Sequence, residues 1–108
     1  MTHGPKKAEY DAREVEALLR ADAVTLVDVR EPHEHKSANI PGAALMPLSR
    51  FDARQLPAEP GKFVVLYCRS GARSMSALSR CMSAGVPAAH LRGGIGAWHA
   101  AGLPLAVG

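Results

Sequence analysis

Cysteine is scarce in this chain: Cys68 and Cys81 are the only two among 108 residues. Two thiols do not build the disulfide framework of a small secreted scaffold. Their separation also matches none of the zinc spacings that bring paired thiolates together, so each needs its own explanation. Aromatic residues are equally sparse, with two Phe, two Tyr and one Trp. Arg69, Arg73, Arg80 and Arg92 are spread through the second half without forming a consecutive run. A nucleic-acid binder wants a denser cationic stripe with stacking platforms, so no nucleic-acid partner is expected. No segment approaches the ~18 apolar residues of a membrane span, and Met1 to Lys7 lacks the apolar centre of a signal peptide. The expectation is a cytoplasmic protein with no membrane partner.

What is present is an ordinary globular composition, 47% hydrophobic and 21% charged, with thirteen Lys and Arg against ten Asp and Glu for a net charge of +3. The length suits one domain, which at this size buries somewhat over ~60% of its unfolded surface and needs neither disulfide nor structural metal. The mild cationic excess fits a small anionic molecule held among arginines.

The order of elements follows from local signals. Asp11, with Glu14 three residues on, reads as a capping box after a frayed start, and Tyr10 can close over Val15 as a hydrophobic staple. Val15, Leu18 and Leu19 continue at helical spacing until Asp22. Val24 to Val29 is a β-branched run interrupted near its end by Asp28, as expected of a strand covered on both faces. Pro32 suits the first turn of a short helix within Glu31 to Asn39, which Ile40-Pro41-Gly42 stops. Ala43 to Met46 is a short strand candidate, and Pro47 to Leu56 reads as a further helix. Pro57, Pro60 and Gly61 mark a loop before Phe63 to Tyr67, the most hydrophobic strand candidate, which ends at Cys68.

From Ser74 a helix is expected with Met75, Leu78 and Met82 on its apolar stripe, capped by Gly85. Ala88 to Leu91 is a weaker strand. Gly93 to Trp98 leads into a last helix that Gly102 and Pro104 terminate, with Trp98 in the core and His99 on the outer side. Strands alternating with helices, joined by connections too long for hairpins, imply an α/β fold with a parallel sheet and helices on both faces.

In such a sheet the ligand crevice lies beyond the carboxyl ends of the strands, where Cys68, Asp28 and Arg30 all fall. The loop Arg69 to Arg73 must turn into a helix, so backbone N–H groups can converge on the Cys68 sulfur. These donors and the nearby arginines favour thiolate over thiol. The plain alternative, a small buried hydrophobe, suits Cys81 better. It lies mid-helix at i, i+3 from Leu78, and ~10 Å along the axis from Ser74, too far for an unforced disulfide with Cys68.

The run Cys68-Arg69-Ser70-Gly71-Ala72-Arg73-Ser74, taken with Asp28-Val29-Arg30-Glu31-Pro32, Ile40-Pro41-Gly42-Ala43 and Leu91 to Trp98, resembles the rhodanese family. The resemblance spans about residues 8 to 105, read as the domain, with 1 to 7 a flexible tail. It implies a three-layer α/β/α fold with a central, mostly parallel five-stranded sheet. It also implies a sulfurtransferase in which Cys68 takes the outer sulfur of thiosulfate or a related anionic donor and passes it to cyanide or a thiol, including a protein thiol, with no cofactor and no metal. Arg69, Ser70, Gly71, Ala72, Arg73 and Ser74 then form the substrate-binding loop, and Asp28 and Arg30 support the crevice, the alternative for this pair being a surface ion pair. Where the family usually has Gly-His before Ile-Pro-Gly-Ala, this chain has Ala38-Asn39, a change expected at the local turn or the rim of the mouth.

Two competing readings remain. Phosphatases with a catalytic cysteine place arginine six residues after it, a position occupied here by Ser74, while Arg73 falls at five. A persulfide carrier serving a protein partner needs the same Cys68 loop but little turnover of free thiosulfate. His33-Glu34-His35 offers no third ligand and reads as a solvated helix face. The glycines before Trp98 are too irregular for a dinucleotide fingerprint.

Overall fold

The computed structural model describes residues 4–57 and 59–108; of the expected tail, residues 1–3 lie outside them. The elements run β1 Glu9–Tyr10, α1 Ala12–Arg20, β2 Val24–Asp28, α2 Pro32–Ser37, β3 Ala44–Leu45, β4 Phe63–Tyr67, α3 Ala72–Ser83, β5 Ala88–Leu91 and α4 Gly94–Ala100. They form one five-stranded sheet of order β1-β5-β4-β2-β3. Every pairing in it is parallel, with Asp28 beside Tyr67 and Asp28 also beside Leu45. After β2 the chain moves outward to β3, then crosses back to β4 and continues the other way to β5. The switch in winding direction therefore lies between the carboxyl ends of β2 and β4, where a parallel sheet opens its crevice.

The strands divide their side chains between two apolar layers, as the period of two requires. Leu26, Val65 and Tyr67 join Val15 of α1 and Ile95 and Trp98 of α4. Val27, Val64, Leu66 and Cys68 join Ala77, Leu78 and Cys81 of α3. Burying each large aliphatic side chain contributes ~1.5–3 kcal/mol, so the two layers supply most of the drive to fold. Trp98 is in the core, and its Nε1 donates to the carbonyl of Pro104 at 2.7 Å.

The capping box of α1 forms as read, with Glu14 N donating to Asp11 Oδ1 at 2.8 Å and Asp11 N to Glu14 Oε1 at 2.9 Å. Tyr10 and Val15 share one apolar cluster. Four expectations are corrected. The stretch before Asp11 is a strand, β1, hydrogen-bonded to β5 through His90 N to Ala8 O and Arg92 N to Tyr10 O. Pro47 to Leu56 is not one helix but two 3-10 turns, Leu48–Arg50 and Ala53–Gln55. Phe51 and Asp52 between them are extended, and the Asp52 carboxylate accepts from Arg54 N, an alternative to helical bonding that Asp readily offers.

The third correction concerns α3, which starts at Ala72 rather than Ser74 and buries Ser74, Ala77, Leu78 and Cys81, leaving Met75 and Met82 56% and 68% exposed. The buried set follows i, i+3, i+4, i+7, so small residues face the sheet and the long methionines face out. The fourth concerns α2, whose Glu34 and His35 turn inward, as described below. Among the described residues no helix is long and apolar enough to cross a membrane.

Candidate active site

Cys68 follows directly on β4 and is 1% exposed. Gly71 makes the turn into α3 with φ at +116°, a conformation that glycine adopts without a Cβ penalty. Because the helix starts at once after it, the first-turn N–H groups, which have no partner within the helix, face the sulfur. Gly71 N donates to Cys68 Sγ at 3.0 Å, and Ser74 Oγ lies 3.6 Å from it. Burial pushes the Cys68 thiol up, but the N–H groups of Ser74, Gly71 and Ser70 and the Ser74 hydroxyl outweigh it, and the thiol ends below its ordinary value. Cys81, equally buried, has no such donors, and burial alone pushes it up to about 11.

The loop is clamped from its other side by α4. Ile95 N donates to Cys68 O at 2.9 Å and Gly96 N to Arg69 O at 3.1 Å, so the opening N–H groups of α4 find their partners in the Cys68 loop. This close approach requires Gly94, with φ at +61°. A Cβ there would lie 2.3 Å from Cys68 O and 2.5 Å from Arg69 O.

Asp28 and Arg30 do not form a surface pair. They are 0% and 5% exposed, with Arg30 Nε and Nη2 donating to the two Asp28 carboxylate oxygens at 3.1 and 2.8 Å. Arg30 Nη2 also donates to Ala38 O at 2.6 Å, and the guanidinium lies 5.6 Å from the centre of the Tyr67 ring. His35 Nδ1 sits 2.9 Å from Asp28 Oδ2. The pair thereby fastens α2 to the end of β2. The departure at Ala38-Asn39 touches both the turn and the mouth: Asn39 Nδ2 donates to His35 O at 2.9 Å, satisfying a carbonyl of the last turn of α2, and Ala38 lines the cleft beside the loop.

Glu34 holds Arg73 through two bonds of 2.7 and 2.9 Å. The Arg73 guanidinium keeps the Glu34 carboxyl at about 2, against 4.5 ordinarily. The solvated-face reading of His33-Glu34-His35 thus holds for exposed His33 and fails for its neighbours, which pack toward Arg73 and Asp28. Arg69 is exposed and has no ion pair among the described residues. Beside the loop lies a mostly apolar cleft of about 390 Å³ whose lining includes Arg30, Arg69, His33, His99 and Ile95 together with the Glu34 carboxylate. A slightly larger cavity, about 430 Å³, lies at the opposite edge near Lys62, Phe63, Val86 and Pro87, where β4 begins and no reactive group stands. The smaller cleft is the one that reaches the Cys68 loop, through Arg69. Residues that sequence reasoning missed include Glu34, Gly94 and His90; only Gly94 carried a signal, a glycine pair where backbones approach closely.

Comparison with known proteins agrees with this geometry. The rhodanese-like domain model matches residues 11–101. A sulfurtransferase of Allochromatium vinosum is 40% identical over 89 residues, 82% of this chain and 83% of that protein. An uncharacterised protein of Synechocystis is 50% identical over 91 residues, 83% of this chain, which spans only 51% of that relative's length. Among solved structures, a thiosulfate sulfurtransferase from Pseudomonas aeruginosa superposes with a TM-score of 0.85 at 32% identity, covering 94% of this chain and 20% of that one. With its sheet order, its cysteine loop and this match over most of its length, the chain belongs to the rhodanese-like domain family.

Proposed function

We propose that this protein is a sulfurtransferase that carries a sulfane sulfur as a persulfide on Cys68. The observation that carries the reading is the set of backbone N–H donors and the Ser74 hydroxyl around a sulfur otherwise shielded from water. Membership of the family and a relative named as a sulfurtransferase support a role of this type. In the first step the Cys68 thiolate attacks the outer sulfur of thiosulfate or a similar donor. A Cys68 S–S bond forms, the donor's S–S bond breaks, and sulfite leaves with the electron pair. In the second, cyanide or a thiolate attacks the terminal sulfur and Cys68 departs as thiolate, the ordinary course of covalent catalysis with two enzyme forms. The same N–H groups stabilise the anion in both forms, with no separate base. Arg69, without an ion pair among the described residues, would draw in an anionic donor.

Phosphate chemistry is disfavoured because Ser74 stands six residues after Cys68, where such phosphatases place arginine, and Arg73, at five, has its terminal nitrogens engaged by Glu34. The second reading, a persulfide carrier loaded by a protein partner, is favoured by one feature: with Arg73 neutralised, a single free arginine is left in the loop for small anions. Cyanide-dependent thiocyanate release after thiosulfate loading decides between them. Sustained turnover that vanishes in Cys68→Ala supports the enzyme. Slow turnover alongside rapid loading from a protein persulfide supports the carrier. Hydrolysis of a small aryl phosphate dependent on Cys68 would overturn both.

A further inference from the structure

His90 is a buried titratable residue, 2% exposed, with no part in the chemistry above. It lies on β5, between the edge strand and the reactive loop. Its Nε2 is 2.9 Å from Glu9 Oε2, and its Nδ1 is 2.9 Å from Ser74 Oγ. Ser74 Oγ in turn is 3.1 Å from Gly71 O and 3.6 Å from Cys68 Sγ, a normal reach for a sulfur hydrogen bond. A continuous row, Glu9–His90–Ser74–Cys68, therefore joins β1 to the sulfur. The order serine, histidine, carboxylate suggests a hydrolytic triad, but Ser74 is 0% exposed and no substrate can reach it. The row meets solvent at Glu9, and the reactive atom at its other end is the nearly buried Cys68 sulfur.

The direction of these bonds follows from proton counting. The Glu9 carboxylate only accepts, so Nε2 carries a hydrogen toward it. If His90 is neutral, Nδ1 has a free lone pair and takes the single hydrogen of the Ser74 hydroxyl; Ser74 can then only accept, from the Cys68 S–H. If His90 is an imidazolium, Nδ1–H donates to Ser74 Oγ and the serine hydrogen turns away from the ring. It then has two acceptors, the Gly71 carbonyl at 3.1 Å and the Cys68 sulfur at 3.6 Å, and a thiolate, being charged, is the stronger of the two. Thiol with neutral imidazole and thiolate with imidazolium hold the same number of protons, and in each every bond of the row is made. We propose that His90 is a positioning residue for Cys68: its charge state turns the Ser74 hydroxyl, so that the Cys68 thiolate and the His90 imidazolium form together, with Glu9 holding the positive charge.

The other charges facing this row are few. At the histidine end Arg92 Nη1 is 3.9 Å from Glu9 Oε1 and competes for that carboxylate, and Arg92 also lies 3.9 Å from Asp11. At the sulfur end stands Arg73, paired to Glu34, and behind it the buried Asp28. From α3 only the Ser74 hydroxyl reaches both His90 and the sulfur.

The test is the pH profile of Cys68 alkylation by iodoacetamide, read by peptide mass so that Cys81 is scored apart, on the full chain as wild type, His90→Asn, Glu9→Gln, Ser74→Ala and the double variant Ser74→Ala/His90→Asn. Asparagine keeps a polar atom toward Ser74 but cannot take a charge. The expected result is a midpoint moved upward in His90→Asn, with alkylation below the midpoint slowed about three- to tenfold, and a smaller move in Glu9→Gln. In the Ser74→Ala background the His90 substitution should add nothing. A His90→Asn midpoint equal to wild type, or a shift that persists undiminished without the Ser74 hydroxyl, overturns the proposal. Should His90→Asn fail to fold by circular dichroism, an unmoved midpoint in Glu9→Gln alone overturns it. Alkylation reads the thiolate whether or not sulfur is transferred, so this outcome is separate from the fate of the persulfide reading.

Discussion

Cys68 and Cys81 belong to the same apolar cluster on one face of the sheet, 1% and 0% exposed, yet the protein drives their thiols in opposite directions. Exposure does not distinguish them. The difference lies in position along a helix: Cys81 is in the last turns of α3, where every nearby N–H is already bonded, and Cys68 stands just before its first turn, where the N–H groups have no other partner. A buried thiol thus becomes a candidate nucleophile or an inert core residue according to the backbone around it.

Substitutions that strip the support of one cysteine and spare the other sharpen this contrast. The largest stability effect is expected at Asp28→Asn, which leaves Arg30 buried without its counter-charge. The cost should be about 3–5 kcal/mol by urea unfolding. Gly94→Ala comes next, at about 2–4 kcal/mol, because a Cβ in the left-handed conformation meets the carbonyls of Cys68 and Arg69. It should also slow Cys68 alkylation more than the stability loss explains, while the Cys81 peptide stays unmodified in folded protein.

Arg73→Ala should cost only about 1 kcal/mol at neutral pH, since the pair with Glu34 is partly solvated. Its pH dependence has a definite sign. The Glu34 carboxyl is lower in the folded protein, about 2 against 4.5, so its contribution is complete above about 4.5 and is lost as pH falls through about 2. The difference in stability between wild type and Arg73→Ala should shrink across that window; a gap constant from neutral pH to pH 2 would show that Glu34 is not its source. The smallest effect is expected at Cys81→Ala, about 1 kcal/mol of stability for a small cavity, with sulfur loading unchanged.

Local chemistry explains how much of this was legible in the sequence. The Asp11–Glu14 capping box, the β-branched run of β2 and the hydrophobic run of β4 ending at Cys68 each act through near neighbours, so the parallel sheet and the position of the cysteine were readable. The α3 stripe is legible in part: Leu78 and Cys81 are buried as expected, whereas the long Met75 and Met82 face out and the smaller Ser74 and Ala77 face in, because side-chain size is no guide to which face of a helix meets the sheet. Glu34 at Arg73 and Glu9 at His90 join residues 39 and 81 positions apart. Those contacts depend on which strands lie side by side, and no spacing in a single chain encodes it. The strand order β1-β5-β4 is what brings a carboxylate near the amino end of the chain against a histidine near the other.

The most direct test of the central claim is mass measurement of the protein after thiosulfate incubation, with peptide mapping of both cysteines. The account predicts a gain of one sulfur on the Cys68 peptide, removed by cyanide, absent in Cys68→Ala and retained in Cys81→Ala. No uptake from thiosulfate or from any alternative sulfane donor, or a sulfur found on Cys81, would contradict it.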